Sequence, residues 1–258
     1  KETDLPFPIK GAVCFENQAQ FHPLLFIKEI AKELKIYEKT KVLSIKGHEI
    51  KTEEATVWAE HIVFATHYPV TNIPGFYFLR QHQERSYVLA VKGVEKPEGI
   101  YYSADKKGLS IRSTGEYVLL GGCAHRTGKD KRGGKYAELR NIAGKYFPGF
   151  QETAHWSAQD CIPHDGLPFI GRYSLFRPYW YFATGFRKWG MTFSMLSAFI
   201  ICDRICGREN PYGKLFSPWR LHILAGAKDF LKDVGESMAG LVKGAFHLPY
   251  KELEKLQK

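Results

Sequence analysis

The hydrophobic period changes twice along this chain, and those changes limit the folds open to it. Over residues 9–65, short strand-like runs surround one helical stripe. Residues 23–34 carry apolar side chains at Leu24, Leu25, Ile27, Ile30, Ala31 and Leu34, bordered by Glu29, Lys32 and Glu33. Residues 9–15 read as a first strand. Residues 41–45, 49–52, 56–59 and 61–65 read as a small meander. From residue 75 to 122 the period stays near two, with strands predicted at 86–91, 99–103, 109–112 and 117–121 between Gly, Pro and Lys turns. A helix is predicted over 135–147 and a strand around 155–161. Strands at 168–170 and 179–184 and a long helix over 191–206 then restore the alternation of strand and helix. The expected fold is mixed α/β: one α/β unit, interrupted by a mostly antiparallel sheet and then resumed. The implied divisions are 1–74, 75–160, 161–220 and a helical tail or linker at 221–258.

Composition narrows the function classes. With 258 residues, 44% hydrophobic and 25% charged, the chain is long and apolar enough for a substantial core, which excludes disordered and fibrous classes. The longest apolar stretch, residues 191–202, is interrupted by Ser194 and Ser197 and falls short of the roughly 20 residues of a membrane span. The net charge of +10 is spread along the chain without an aromatic ladder, so nucleic-acid binding is not expected. Five irregularly spaced cysteines make no disulfide framework, and a cytoplasmic location is the expectation. A membrane-surface reading rests only on the tail, where Phe230, Leu231, Val234, Met238 and Leu241 recur among lysines at rough helical spacing.

The stretch richest in chemistry is Tyr181-Phe-Ala-Thr-Gly185-Phe-Arg-Lys-Trp-Gly190-Met-Thr192, an aromatic strand that ends in a glycine turn and opens a helix. Such a turn aims unpaired N–H groups and the positive helix end at one point, which suits an electron-rich ligand atom. It equally fits a plain strand-to-helix connection. Two cysteine–histidine pairs, Cys123-x-His125 and Cys161-x-x-His164, have the local spacing of Rieske ligands. The gap between them is too long, and buried thiols with hydrogen-bonded histidines are the expected reading. Cys202 and Cys206, one turn apart on an apolar helix, are expected to pack.

Further stretches resemble the glycine-oxidase and D-amino-acid-oxidase superfamily of FAD-dependent oxidoreductases. They are Gln18-Ala-Gln-Phe-His22-Pro23, Glu60-His-Ile-Val-Phe-Ala65-Thr66-His67, Asp165-Gly-Leu-Pro-Phe-Ile-Gly171 and Gly185 to Thr192. Phe216-Ser-Pro-Trp-Arg220 resembles the segment that closes the oxidase unit in a bacterial subgroup often continuing into a Rieske domain. The resemblance implies FAD as cofactor, contacted by Val42, Ala65, Thr66, Gly185, Lys188, Trp189, Gly190, Met191 and Thr192. It implies oxidation of a C–N bond in an amine or amino acid, with hydride passing to flavin, and an iron–sulfur electron partner. His67, Arg85, Tyr87 and Asp160 are the candidates for the substrate pocket. Where the family's amino-acid oxidases carry a carboxylate-clamping arginine, this chain has Asp160, which would favour a cationic amine.

The chain departs from that family in one respect: no Gly-x-Gly-x-x-Gly occurs in its 258 residues. On the resemblance, the nucleotide-binding segment lies outside them. The expectation is weak FAD binding by the isolated chain, or a complementing chain or domain that supplies that segment. The alternative is a non-catalytic component that completes a partner's fold.

Overall fold

The computed structural model describes residues 3–71, 75–105, 108–129, 133–220 and Gly235. In chain order the elements are α1 (Pro23–Ala31), β1 (Val42–Lys46), β2 (Glu49–Thr52), β3 (Thr56–Trp58) and β4 (Ile62–Phe64). A short 3-10 turn (Tyr77–Leu79) leads to β5 (Gln81–Lys92), β6 (Tyr101–Tyr102), β7 (Ser110–Thr114) and β8 (Tyr117–Arg126). Then follow α2 (Lys135–Tyr146), β9 (Gln151–Pro163), β10 (Phe169–Ser174), β11 (Arg177–Thr184) and α3 (Gly190–Ile205). The fold is mixed helix and sheet. The described residues form two compact units, one built from the segments 3–11 and 79–164, the other from 12–78 and 165–220. Apart from Gly235, the predicted tail at 221–258 lies outside the described residues.

The first unit is an antiparallel sheet of order β6-β7-β8-β5-β9. Its strands outrun their sequence signals because β5 and β9 pair from Gln81–Pro163 to Lys92–Gln151, so that polar residues at their ends are carried into the ladder. Odd-numbered residues of β5 face α2: Tyr87 meets Tyr136 edge-on at 4.9 Å, and Leu89 and Val91 pack with Leu139 and Ala143. The amino-terminal segment belongs to this unit. Leu5 joins its core, and the Asp4 carboxylate accepts hydrogen bonds from Glu98 N and Tyr101 Oη.

The second unit centres on the sheet β10-β11-β4. Alternation along β11 covers both of its faces. Trp180 and Phe182 join Ile62, Phe64, Tyr77, Phe169 and Tyr173 on one, while Tyr181 and Ala183 join Ile170, Ile200, Ile201 and Phe216 on the other. Burial on both faces is what a sheet with a parallel pair requires. The meander β1-β2-β3 packs Ile45 and Ile50 against the first cluster, and Trp180 Nε1 donates to Gly47 O at 2.8 Å.

Three expectations are corrected. Residues 9–15 form no strand, and Val13 and Phe15 lie exposed without a partner strand among the described residues. The 61–65 run leaves the meander, because β4 pairs with β11 in parallel. The first helix stops at Ala31: the N–H groups of Lys32, Glu33 and Leu34 bond three residues back, to Glu29, Ile30 and Ala31, which tightens the end into a 3-10 turn.

Candidate active site

In the second unit the carboxyl ends of β4 and β11 coincide, because Val63 lies opposite Tyr181 and Phe64 opposite Phe182 in parallel register. The carboxyl ends of parallel strands are where such sheets hold ligands. Past Phe64 the chain turns at once. Tyr68 N donates to Thr66 O at 2.7 Å, the Thr66 hydroxyl donates to Tyr68 O at 2.9 Å, and His67 adopts a left-handed φ of 63°. The buried Thr184 hydroxyl donates to the His67 carbonyl and so ties the two strand ends together.

Beyond Thr184, Gly185 (φ 76°) and Arg187 (φ 56°) reverse the chain into α3. Trp189 N bonds Phe186 O at 3.0 Å, and Phe193 N bonds Trp189 O at 3.0 Å. No side chain caps the start of α3, whose first N–H groups have no helical acceptor. Those donors and the helix dipole favour an electron-rich group. Gly185 is buried, Lys188, Trp189, Gly190 and Thr192 are exposed, and Met191 is half-buried. A Cβ at Gly190 would meet nothing within 4 Å, so this glycine leaves the first turn of α3 unobstructed at that position. The structure therefore gathers Ala65, Thr66, His67, Gly185 and residues 188–192 at one end of one sheet. Val42 lies elsewhere, exposed at the start of β1 in the meander. An open groove of about 630 Å³ adjoins the site, lined by Phe21, Leu25, Phe26 and Glu29 on one side and Met191, Thr192 and Met195 on the other.

The substrate-pocket candidates of the first unit do not share a face. Arg85 and Tyr87 lie on the α2 side of the sheet, and Tyr87 Oη is 3.0 Å from His125 Nε2. Asp160 pairs with Glu84 in register, on the opposite face, with His82 Nε2 3.7 Å from Glu84 Oε1. The cause is the pleat, which sends neighbouring residues to opposite sides.

Both cysteines of the cysteine–histidine pairs are buried. Cys123 occupies a bulge in β8 with a left-handed φ of 53° and enters the core, where burial and then the Glu138 carboxylate push its thiol up to about 11. His125 uses both ring nitrogens, the second 3.0 Å from Arg126 O. Cys161 is buried, whereas Cys202 and Cys206 are exposed on α3 instead of packed. No group of three or more His, Cys, Asp or Glu residues is placed to hold a metal among the described residues. No helix among them is long and apolar enough to cross a membrane.

Two features escaped the sequence reading. Gln81 is 2% exposed, and its side-chain amide makes no hydrogen bond among the described residues. Asp165 and Arg220, present in the motifs, form a bidentate ion pair at 2.6 and 2.9 Å.

The fold is that of amino-acid oxidases. It matches glycine oxidase from Geobacillus kaustophilus with a TM-score of 0.60 and 23% identity, over 72% of this chain and 53% of that one. It matches L-proline dehydrogenase from P. horikoshii with a TM-score of 0.58 and 18% identity, over 75% and 57%. The chain belongs to the DAO family of FAD dependent oxidoreductases, which it matches over residues 1–204. It is also 34% identical over 270 residues to YhfW of Bacillus subtilis (strain 168), whose name is that of a Rieske 2Fe-2S iron-sulfur protein. That alignment takes in 98% of this chain and 53% of YhfW, so the chain spans about half the length of this relative.

FAD is the family's cofactor. Uncapped N–H donors, a lysine and an unobstructed glycine at the start of α3 suit an electron-rich edge of such a cofactor. The glycine-rich turn that takes the pyrophosphate is not among these 258 residues.

Proposed function

We propose that this chain forms the ring and substrate side of an FAD-dependent oxidoreductase that oxidises a C–N bond of an amine or amino acid. The observation that carries the reading is the joined end of β4 and β11, where the 185–190 turn delivers the uncapped start of α3. FAD, when bound, supplies the hydride acceptor. The chain's own part is electrostatic: the N–H groups of Gly190, Met191 and Thr192 and the Lys188 ammonium stabilise negative charge on the pyrimidine side. Ala65 and Thr66 follow directly on the neighbouring strand β4, and His67 belongs to the same turn.

Substrate choice is the finer part of the proposal. Asp160 and Glu84, paired across β5 and β9, give one face of the first unit two adjacent carboxylates. On the resemblance Asp160 stands where the family's amino-acid oxidases clamp a carboxylate, and an acid at that place would favour a cationic amine over a free amino acid. A Rieske-type electron partner is proposed from the name of YhfW alone. A second reading, a component completed by a segment that brings the nucleotide-binding turn, is supported by α1, which has no buried residue despite its apolar stripe.

The test is a visible spectrum of the full protein with FAD, followed by anaerobic addition of primary amines and of glycine. The reading expects the visible absorption of oxidised flavin, bleached faster by amines than by glycine. Bound flavin that neither amine nor amino acid reduces would overturn the assigned chemistry. Flavin bands appearing only when a nucleotide-binding segment is supplied would favour the second reading.

A further inference from the structure

We infer that Arg220 is a positioning residue for the 185–190 turn, acting through the segment 216–220 as a brace on both of the turn's flanks. The inference rests on the reading of that turn as the ligand-facing element.

One flank is ionic. The Arg220 side chain is 3% exposed and donates from Nε and Nη2 to both Asp165 oxygens. It also donates from Nη2 to Leu167 O at 2.6 Å and from Nη1 to Pro168 O at 2.7 Å, and it stacks 4.3 Å over Phe169. A buried guanidinium satisfied in this way fixes geometry more than it adds stability. What it fixes is the loop holding Gly166, in a left-handed φ of 74°, where a Cβ would lie 3.7 Å from Nη1 of Arg187. Arg187 is the residue of the turn that takes a left-handed φ without being glycine. The loop thus lies beside the guanidinium end of Arg187, the side chain that the turn extends toward it.

The other flank is aromatic. Phe216 lies 6.0 Å from Phe193 in the first turn of α3, and Phe193 lies 6.1 Å from Phe186 inside the 185–190 turn. Phe216 O accepts from Ile170 N at 2.8 Å and from Arg220 Nη1 at 3.2 Å, so the aromatic and ionic flanks meet at one carbonyl. Losing Arg220 releases both.

The test is amide hydrogen exchange in Arg220→Ala, read at Trp189 and Phe193, whose N–H bonds define the turn. The expected result is exchange about tenfold faster at these two amides, with β11 unchanged and the effect reversed by added methylguanidinium. Asp165→Asn serves as the second variant should Arg220→Ala fail to fold, with the same change expected at smaller size. Faster exchange confined to Leu167, or spread evenly over β10 and β11, would overturn the proposal, since the pair would then be a local latch or a general staple. A parallel titration with FAD expects weaker binding in the variant. If the unaltered protein takes up FAD only when a nucleotide-binding segment is supplied, the titration is run with that segment, and uptake in neither case means that the assignment of the turn to flavin fails while the exchange result still decides the role of Arg220.

Discussion

Helices α1 and α2 are each amphipathic, yet only one of them is used within the described structure. The α2 sequence Lys135-Tyr-Ala-Glu-Leu-Arg-Asn-Ile-Ala-Gly-Lys-Tyr146 is the more polar, and it buries Leu139 and Ala143 completely against β5 and β8. The α1 sequence Pro23-Leu-Leu-Phe-Ile-Lys-Glu-Ile-Ala31 is the more apolar and buries nothing, with Leu24 at 72% and Leu25 at 60% exposure. Apolar content therefore does not decide burial; an opposing surface does. The first unit carries its own opposing sheet. The second unit presents α1 and the adjoining groove as surface still to be covered, which is the physical basis of the completing-segment reading.

The sharpest way to break this comparison is to truncate one apolar residue in each helix. Leu139→Ala removes a fully buried side chain and is expected to cost about 2–5 kcal/mol in urea unfolding. Leu24→Ala in α1 is expected to stay within about 0.5 kcal/mol. Equal losses at the two positions would mean that α1 is packed in solution and would remove the contrast.

A smaller effect sharpens the account of the first unit. Beside α2, the Arg140 guanidinium, hydrogen-bonded at 2.6 and 2.9 Å and helped by His155 at 2.7 Å, draws the Glu152 carboxyl down from 4.5 to about 2. A carboxylate whose folded value is depressed stabilises the fold above its unfolded value, and that contribution is lost as pH falls from about 4.5 toward 2. The pair is partly solvated, with Arg140 41% exposed, so Glu152→Gln is expected to cost only about 0.5–1 kcal/mol at pH 7. The difference from the unaltered protein should vanish near pH 2. A gap that persists there would assign the effect to packing.

The same contrast explains which parts of the fold could be read in advance. Period and turn chemistry are local, so α2, α3 and the strand Glu49–Thr52 were legible within a residue or so. Pairing is not local. Ile62–Phe64 looks the same whether it joins the meander or lies parallel to β11, more than a hundred residues away. In the candidate site, the strand–turn–helix geometry from Gly185 to Thr192 was legible because strand, glycine and helix follow one another in the chain. Asp165 and Arg220 stand 55 residues apart, and nothing in either motif states that they meet. Arg85, Tyr87 and Asp160 lacked the cross-strand register, which alone reveals that the pleat parts them.

The smallest expected change in stability is the most telling about α1. Lys at position 24 places a charge on a surface that is already solvated, so Leu24→Lys together with Ile27→Lys should leave the unfolding midpoint unmoved. What should change is the binding of an apolar dye. Leu24, Ile27 and Ile30 recur every three residues on one exposed side of α1, and two ammonium groups there disrupt the apolar patch that such a dye needs. The expected outcome is lower anilinonaphthalene sulfonate fluorescence at unchanged stability. Addition of a segment that completes the fold should lower the dye signal of the unaltered protein and leave the double variant indifferent. If instead the double lysine variant unfolds more easily, α1 is packed in solution and the contrast with α2 fails at its foundation.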